Sequence, residues 1–90
     1  MYYVYIIESI ESKRYYVGQT ENLKERIERH NKGRNLYTKN YLPWELKWWK
    51  EFETRAEAMK VEKLIKGIKK REGVNKFAIT NNFRGVAQPG

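Results

Sequence analysis

Tyr2-Tyr3-Val4-Tyr5-Ile6-Ile7, near the start of the chain, is aromatic or β-branched at every position. Such side chains favour extended backbone. No polar residue alternates with them, so the strand they form has to be covered on both faces. It is therefore predicted to be the central strand of a sheet with a layer above and a layer below. Tyr3, Tyr5 and Ile7 then point to one face, and Val4 and Ile6 to the other.

The rest of the chain supplies those layers. Glu8–Arg14 is polar and reads as a hairpin connection, and Tyr15-Tyr16-Val17-Gly18 reads as an antiparallel returning strand. Thr20 is a predicted cap for a helix starting at Glu21, with Leu23 and Ile27 as its apolar stripe and Gly33 as its stop. Glu25 and Arg29 form an i,i+4 pair on it. Residues 33–43 show no periodicity and read as a mobile surface loop. Over 44–52, Trp44, Leu46, Trp48 and Phe52 fall on one face of a third strand, and Glu45, Lys47 and Glu51 on the other. Thr54 and Glu57 match a capping box. The helix they open carries Ala58, Val61, Leu64, Ile65 and Ile68 as its stripe and is expected to run to about Lys70, before Gly73. Val74–Ile79 reads as a short last helix turn. The prediction is an α+β domain over residues 1–79: a small three-stranded antiparallel sheet flanked by helices, in the order β-β-α-β-α. Residues 80–90 are expected to be a loosely held tail.

Ninety residues are near the small end of what folds alone, and the 13 aromatic residues supply much of the buried area. With no cysteine, disulfides and thiolate metal sites are excluded. No apolar run approaches the ~18 residues of a membrane span, and Tyr2–Ile7 is too short for a secretory signal. The expectation is a soluble, cytoplasmic protein without a membrane partner. A net charge of +8 points to a polyanionic partner, nucleic acid first.

Several residues stand out chemically. A tyrosine can relay protons, an arginine can hold a phosphate, and a carboxylate can hold a divalent metal. Tyr16 is expected to bring its hydroxyl beside Tyr5, although cross-strand tyrosines also stabilise sheets for their own sake. Arg26 and His30, four apart, share one side of the first helix at the edge of its buried face, where they can reach a cleft and still touch water. His30 is the only histidine, which excludes a multi-histidine metal site. Glu62 lies at the margin of the second helix's stripe. Its ordinary role is an i,i+4 pair with Lys66; its chemical role is as the single carboxylate of a hydrated Mg²⁺.

Taken together, Tyr3-Val4-Tyr5, Tyr16-Val17-Gly18, Asn22-Leu23-Lys24-Glu25-Arg26 and Glu62 within Glu57–Lys63 resemble the GIY-YIG nuclease family, over roughly residues 2–79. The likeness is greatest to its small stand-alone members. Tyr3 stands where the first signature has glycine, and Gln19 stands where some relatives carry lysine. The resemblance implies a metal-dependent endonuclease cutting phosphodiesters in DNA, selective for structure over sequence. Tyr5, Tyr16, Arg26, His30 and Glu62 would be its catalytic residues, and Glu62 would hold Mg²⁺ or Mn²⁺. Arg26, Lys39, Lys66, Lys69 and Lys70 are the expected nucleic-acid contacts. Two alternatives stay open: a non-cleaving nucleic-acid-binding module of the same fold, and a nuclease acting on RNA.

Overall fold

The computed structural model describes residues 1–68, 73, 74 and 76. Strand β1 (Tyr2–Ser9) is followed by β2 (Tyr15–Thr20), helix α1 (Leu23–Asn31), a 3₁₀ helix (Thr38–Tyr41), β3 (Trp44–Phe52) and helix α2 (Arg55–Lys66). The sheet is antiparallel in the order β2-β1-β3, with the tyrosine-rich first strand at its centre. This is the α+β arrangement expected from the sequence. Among the described residues, no helix is long and apolar enough to cross a membrane.

The two faces of β1 bury separate clusters. Val4 and Ile6 pack with Val17, Trp48, Ala58, Ile65 and Val74 beneath α2. Tyr5 and Ile7 pack with Leu23 and Trp44 beneath α1. Strand β3 serves both faces because it is irregular: Ile6 pairs with Trp48, but Ile7 pairs with Leu46. The extra residue, Lys47, breaks the alternation. Trp44 and Leu46 therefore belong to the α1 side, and Trp48 and Phe52 to the α2 side. This corrects the single face expected for these four residues.

Three other boundaries differ from expectation. Thr20 is the last residue of β2, so Asn22 caps α1, its Oδ1 accepting from the Glu25 N–H at 3.1 Å. Thr20 instead braces the turn, its Oγ1 accepting from the Asn22 N–H at 3.1 Å. Helix α2 stops at Gly67, not near Lys70, and Leu64 is 61% exposed instead of joining the stripe. Its Thr54 cap does form: Oγ1 accepts from the Glu57 N–H at 3.2 Å. The third difference is the 33–43 segment, which is held by the 3₁₀ helix with Thr38 fully buried. Gly33, at φ +75°, makes the left-handed turn out of α1. Of the short last helix, Gly73, Val74 and Lys76 are helical. The remainder of it and the 80–90 tail lie outside the described residues.

Candidate active site

Strand β2 is an edge strand, and one cavity of about 370 Å³ wraps around that edge. Tyr5, Tyr16, Gly18 and Arg26 reach it from the α1 side of the sheet, while Tyr2, Gln19, Arg55 and Glu62 reach it from the α2 side. Tyr5 gets there by lying across its cross-strand partner Gly18. A Cβ on Gly18 would sit 2.6 Å from Tyr5 Cζ and would collide with the Tyr5 hydroxyl. The glycine of Tyr16-Val17-Gly18 is thus the opening through which the Tyr5 ring reaches the edge.

The Tyr5 ring is fully buried. Its Oη lies 2.8 Å from His30 Nε2, and the Tyr5 and Tyr16 centroids are 6.4 Å apart. Burial raises the Tyr5 hydroxyl well above the usual tyrosine range, and nearby Tyr16 adds to this. The Arg26 guanidinium, by its charge and a hydrogen bond, pulls the other way without reversing the shift. Tyr5 therefore stays protonated at neutral pH.

His30 is 1% exposed, not at a wet cleft edge as its sequence position suggested. Burial, then the charges of Arg26 and Arg29, lower its pKa to about 4, so the imidazole is neutral. Its Nδ1 lies 2.8 Å from Thr38 Oγ1. One tautomer satisfies every group in this chain of contacts. With Arg26 donating to Tyr5, Tyr5 donating to His30 Nε2 and His30 Nδ1–H donating to Thr38 Oγ1, each nitrogen and hydroxyl has a partner of the right kind. Sequence reasoning missed Thr38, because nothing marks one threonine in a polar loop as buried. Its segment is fastened by Trp44 Nε1, which donates to the Thr38 carbonyl at 2.8 Å.

Glu62, on α2, is about one-fifth exposed. Its Oε2 pairs with Lys66 Nζ at 2.8 Å, the i,i+4 contact read from the sequence. Its Oε1 accepts from Gln19 Nε2 at 2.9 Å, so the residue found where some relatives have lysine holds this carboxylate. Among the described residues there is no cluster of three His, Cys, Asp or Glu that could cage a metal. One carboxylate in a polar, half-open cavity nonetheless fits Mg²⁺ or Mn²⁺, since Mg²⁺ keeps several waters and is completed by substrate phosphate.

The other expected contacts divide. Lys66 stands at the site through Glu62, whereas Lys39 is exposed on the 3₁₀ helix and does not line the cavity. Lys69 and Lys70 lie outside the described residues. Arg55 and Glu21 join the cavity lining, unanticipated from the sequence, and form a 3.7 Å ion pair with each other.

Two tyrosine-bearing strands side by side, with an arginine from one helix and a glutamate from the other meeting at their edge, define a class. The sequence model of the GIY-YIG catalytic domain matches residues 1–77, and the chain belongs to this family of nucleases, whose substrate is nucleic acid. Its relatives include UPF0213 proteins. One from Streptococcus pyogenes serotype M3 is 37% identical over 70 residues, covering 77% of this chain and 75% of the relative. Another, from Streptococcus pneumoniae serotype 4, is 34% identical over 85 residues, covering 93% and 84%. The solution NMR structure of a UPF0213 protein from Bacillus halodurans has the same fold, with a TM-score of 0.56 and 28% identity. That match covers 91% of this chain and 88% of the other.

Proposed function

We propose that the chain is a divalent-metal-dependent endonuclease that hydrolyses phosphodiester bonds, with DNA ahead of RNA as its polymer. The observation that carries this reading is the convergence of Tyr5, Tyr16, Arg26 and Glu62, from four separate elements, on one cavity. Glu62 would hold Mg²⁺ or Mn²⁺ there with waters and a substrate phosphate. Bound in that place, the metal would supply Lewis-acid stabilisation of charge on the phosphate. Gln19 orients the carboxylate, and Lys66 balances its charge until substrate arrives.

Arg26 faces the same cavity and stabilises the negative charge that builds on the phosphate during attack. A raised hydroxyl pKa makes Tyr5 a poor source of free phenolate. A hydroxyl is both donor and acceptor, however, so Tyr5 can take a proton from the attacking water while passing its own to His30 Nε2. His30 gains the proton and no free phenolate forms. Thr38 holds the imidazole in the orientation this transfer needs. Tyr16, with its ring 5.0 Å from that of His30, walls the same space and orients the water.

Selectivity for strand structure over sequence belongs to this reading, because Arg26 and Arg55 offer the cavity phosphate-type contacts, which carry no sequence information. The test is cleavage of single-stranded, duplex and branched DNA, and matching RNAs, with Mg²⁺ or Mn²⁺, beside Glu62→Ala. The expected result is metal-dependent cutting that falls by about 10³-fold in the variant, the several kcal/mol a catalytic metal supplies, with the thermal midpoint unchanged. Salt-sensitive binding with no cutting on any substrate would replace this reading with that of a binding module.

A further inference from the structure

Beside the cavity just described lies a second, smaller pocket of about 170 Å³, lined by Arg26, Arg29, His30, Arg34 and Asn35. Arg26 belongs to both. Residues 26, 29 and 30 share one side of α1. The left-handed turn at Gly33 then brings the chain back, and the Arg34 N–H donates to the Arg29 carbonyl at 3.1 Å. The backbone thus sets three guanidinium groups around one small space.

The polar side-chain groups this pocket can offer are all donors. Guanidinium has five N–H donors and no acceptor. The Asn35 Oδ1 is already taken by the backbone N–H groups of Tyr37 and Thr38, at 2.9 and 3.1 Å, which leaves its amide N–H groups for a ligand. Both His30 nitrogens are engaged, by Tyr5 and Thr38, so His30 contributes only ring surface. No carboxylate lies in the lining. Within the described residues none of these arginines is in an ion pair. The predicted Glu25–Arg29 pair does not form. Three like charges held close without a counter-charge favour an anion, and the flat guanidinium fork matches the oxygens of phosphate.

We propose that this pocket is a second phosphate subsite, which takes a backbone phosphate of the substrate strand beside the phosphate in the main cavity. The assignment rests on the nuclease reading, and Arg26, shared by the two pockets, sets the strand's path between them. A second effect follows from His30 being a wall of the pocket. The titratable and charged groups around it are Tyr5 and Tyr16 from the sheet, Arg26 and Arg29 on its own helix, and Arg34 beyond it. An anion here offsets the arginine charges that help hold His30 at about 4, so the arrival of substrate makes His30 a better proton acceptor.

His30 is the only histidine, so its ring signals in NMR report on the pocket directly. Inorganic phosphate titrated at constant ionic strength is expected to move the His30 pKa upward from about 4 in a saturable way. The Arg29→Gln/Arg34→Gln variant is expected to start higher and lose the saturable response. Lys24→Gln/Lys60→Gln, which removes the same charge elsewhere, is expected to respond as the parent does. The strand itself is tested by the salt dependence of oligonucleotide binding, where each lost phosphate contact lowers the slope by about 0.9 on duplex or about 0.7 on single strands. The arginine variant is expected to lose at least one contact's worth more than the lysine variant. His30 signals indifferent to phosphate would overturn the subsite. A phosphate response with equal slopes in the two variants would overturn its assignment to the strand and leave a site for free phosphate. A phosphate response and a reduced slope without cleavage of any substrate would sink the nuclease reading and support the subsite.

Discussion

The two faces of the sheet are built on different principles. Beneath α2, the buried cluster is Val4, Ile6, Val17, Trp48, Ala58, Ile65 and Val74, which hold together through apolar contact. Beneath α1, Tyr5, His30, Thr38 and Trp44 are just as buried but linked by hydrogen bonds of 2.8 Å. Apolar packing is non-directional and tolerates small shifts. A buried polar chain does not: each member depends on the next for its partner, and one lost partner leaves a desolvated group behind. The comparison teaches a division of labour. One face supplies the stability that lets the other fix a tyrosine, a histidine and a threonine in a single arrangement.

The largest effect separating the two faces is expected from Tyr5→Phe. The ring still packs over Gly18, but the relay loses its hydroxyl, and cleavage should fall by about 10²–10⁴-fold, the range for a general acid–base group. Stability should fall by no more than about 1–3 kcal/mol, the cost of leaving His30 Nε2 unpaired. Near-normal turnover of this variant would remove Tyr5 from the chemistry. Ile65→Ala is the converse. Denaturant unfolding should show a loss of about 2–5 kcal/mol, while the folded fraction keeps its rate. If that rate collapsed, the separation between the faces would break.

Acid probes the polar face through His30, once the His30→Gln variant is set beside the parent. With its pKa lowered from 6.5 to about 4, His30 takes a proton more readily in the unfolded chain than in the folded one. Its contribution is therefore complete above pH 6.5 and is lost as the pH falls from 6.5 to 4, by up to about 3 kcal/mol. His30→Gln should flatten the stability profile in that window; parallel profiles for the two proteins would mean that His30 is not held neutral. The smallest effect is expected from Thr38→Val, at about 1–3 kcal/mol for the Nδ1–H left without an acceptor. The backbone carbonyl that receives Trp44 Nε1 is retained in this variant. Thr38→Ser should restore the loss, and ¹⁵N shifts of the His30 ring should change in Val and return in Ser. A Val variant with parental ring shifts would show that Thr38 merely fills space.

The legible parts of the molecule were those written in side-chain type. An unbroken aromatic and β-branched run fixed β1 as the central strand, and the tyrosine spacing, with Arg26 and Glu62, pointed to the residues that meet at the β2 edge. What stayed hidden depends on registers and partners. Two cap formers on either side of Glu21, Thr20 and Asn22, are indistinguishable until the length of β2 is known. One extra residue at Lys47 leaves the apolar spacing of β3 intact while moving half of it to the other face. His30 reads as a residue at a wet edge and Thr38 as part of a polar loop, because what buries them comes from other elements of the chain, β1 and β3.

That extra residue also gives the molecule an optical property. All three tryptophans lie on β3, and the break at Lys47 puts Trp44 and Trp48 on opposite faces. Trp48 emits from the aliphatic layer, Trp44 from the layer containing Tyr16 and His30, with its ring 6.5 Å from that of Tyr16. Two variants, one keeping only Trp48 and one keeping only Trp44, would each carry a single indole. The first would follow melting of the α2-side layer and the second the ordering of the α1-side layer, with no dye attached.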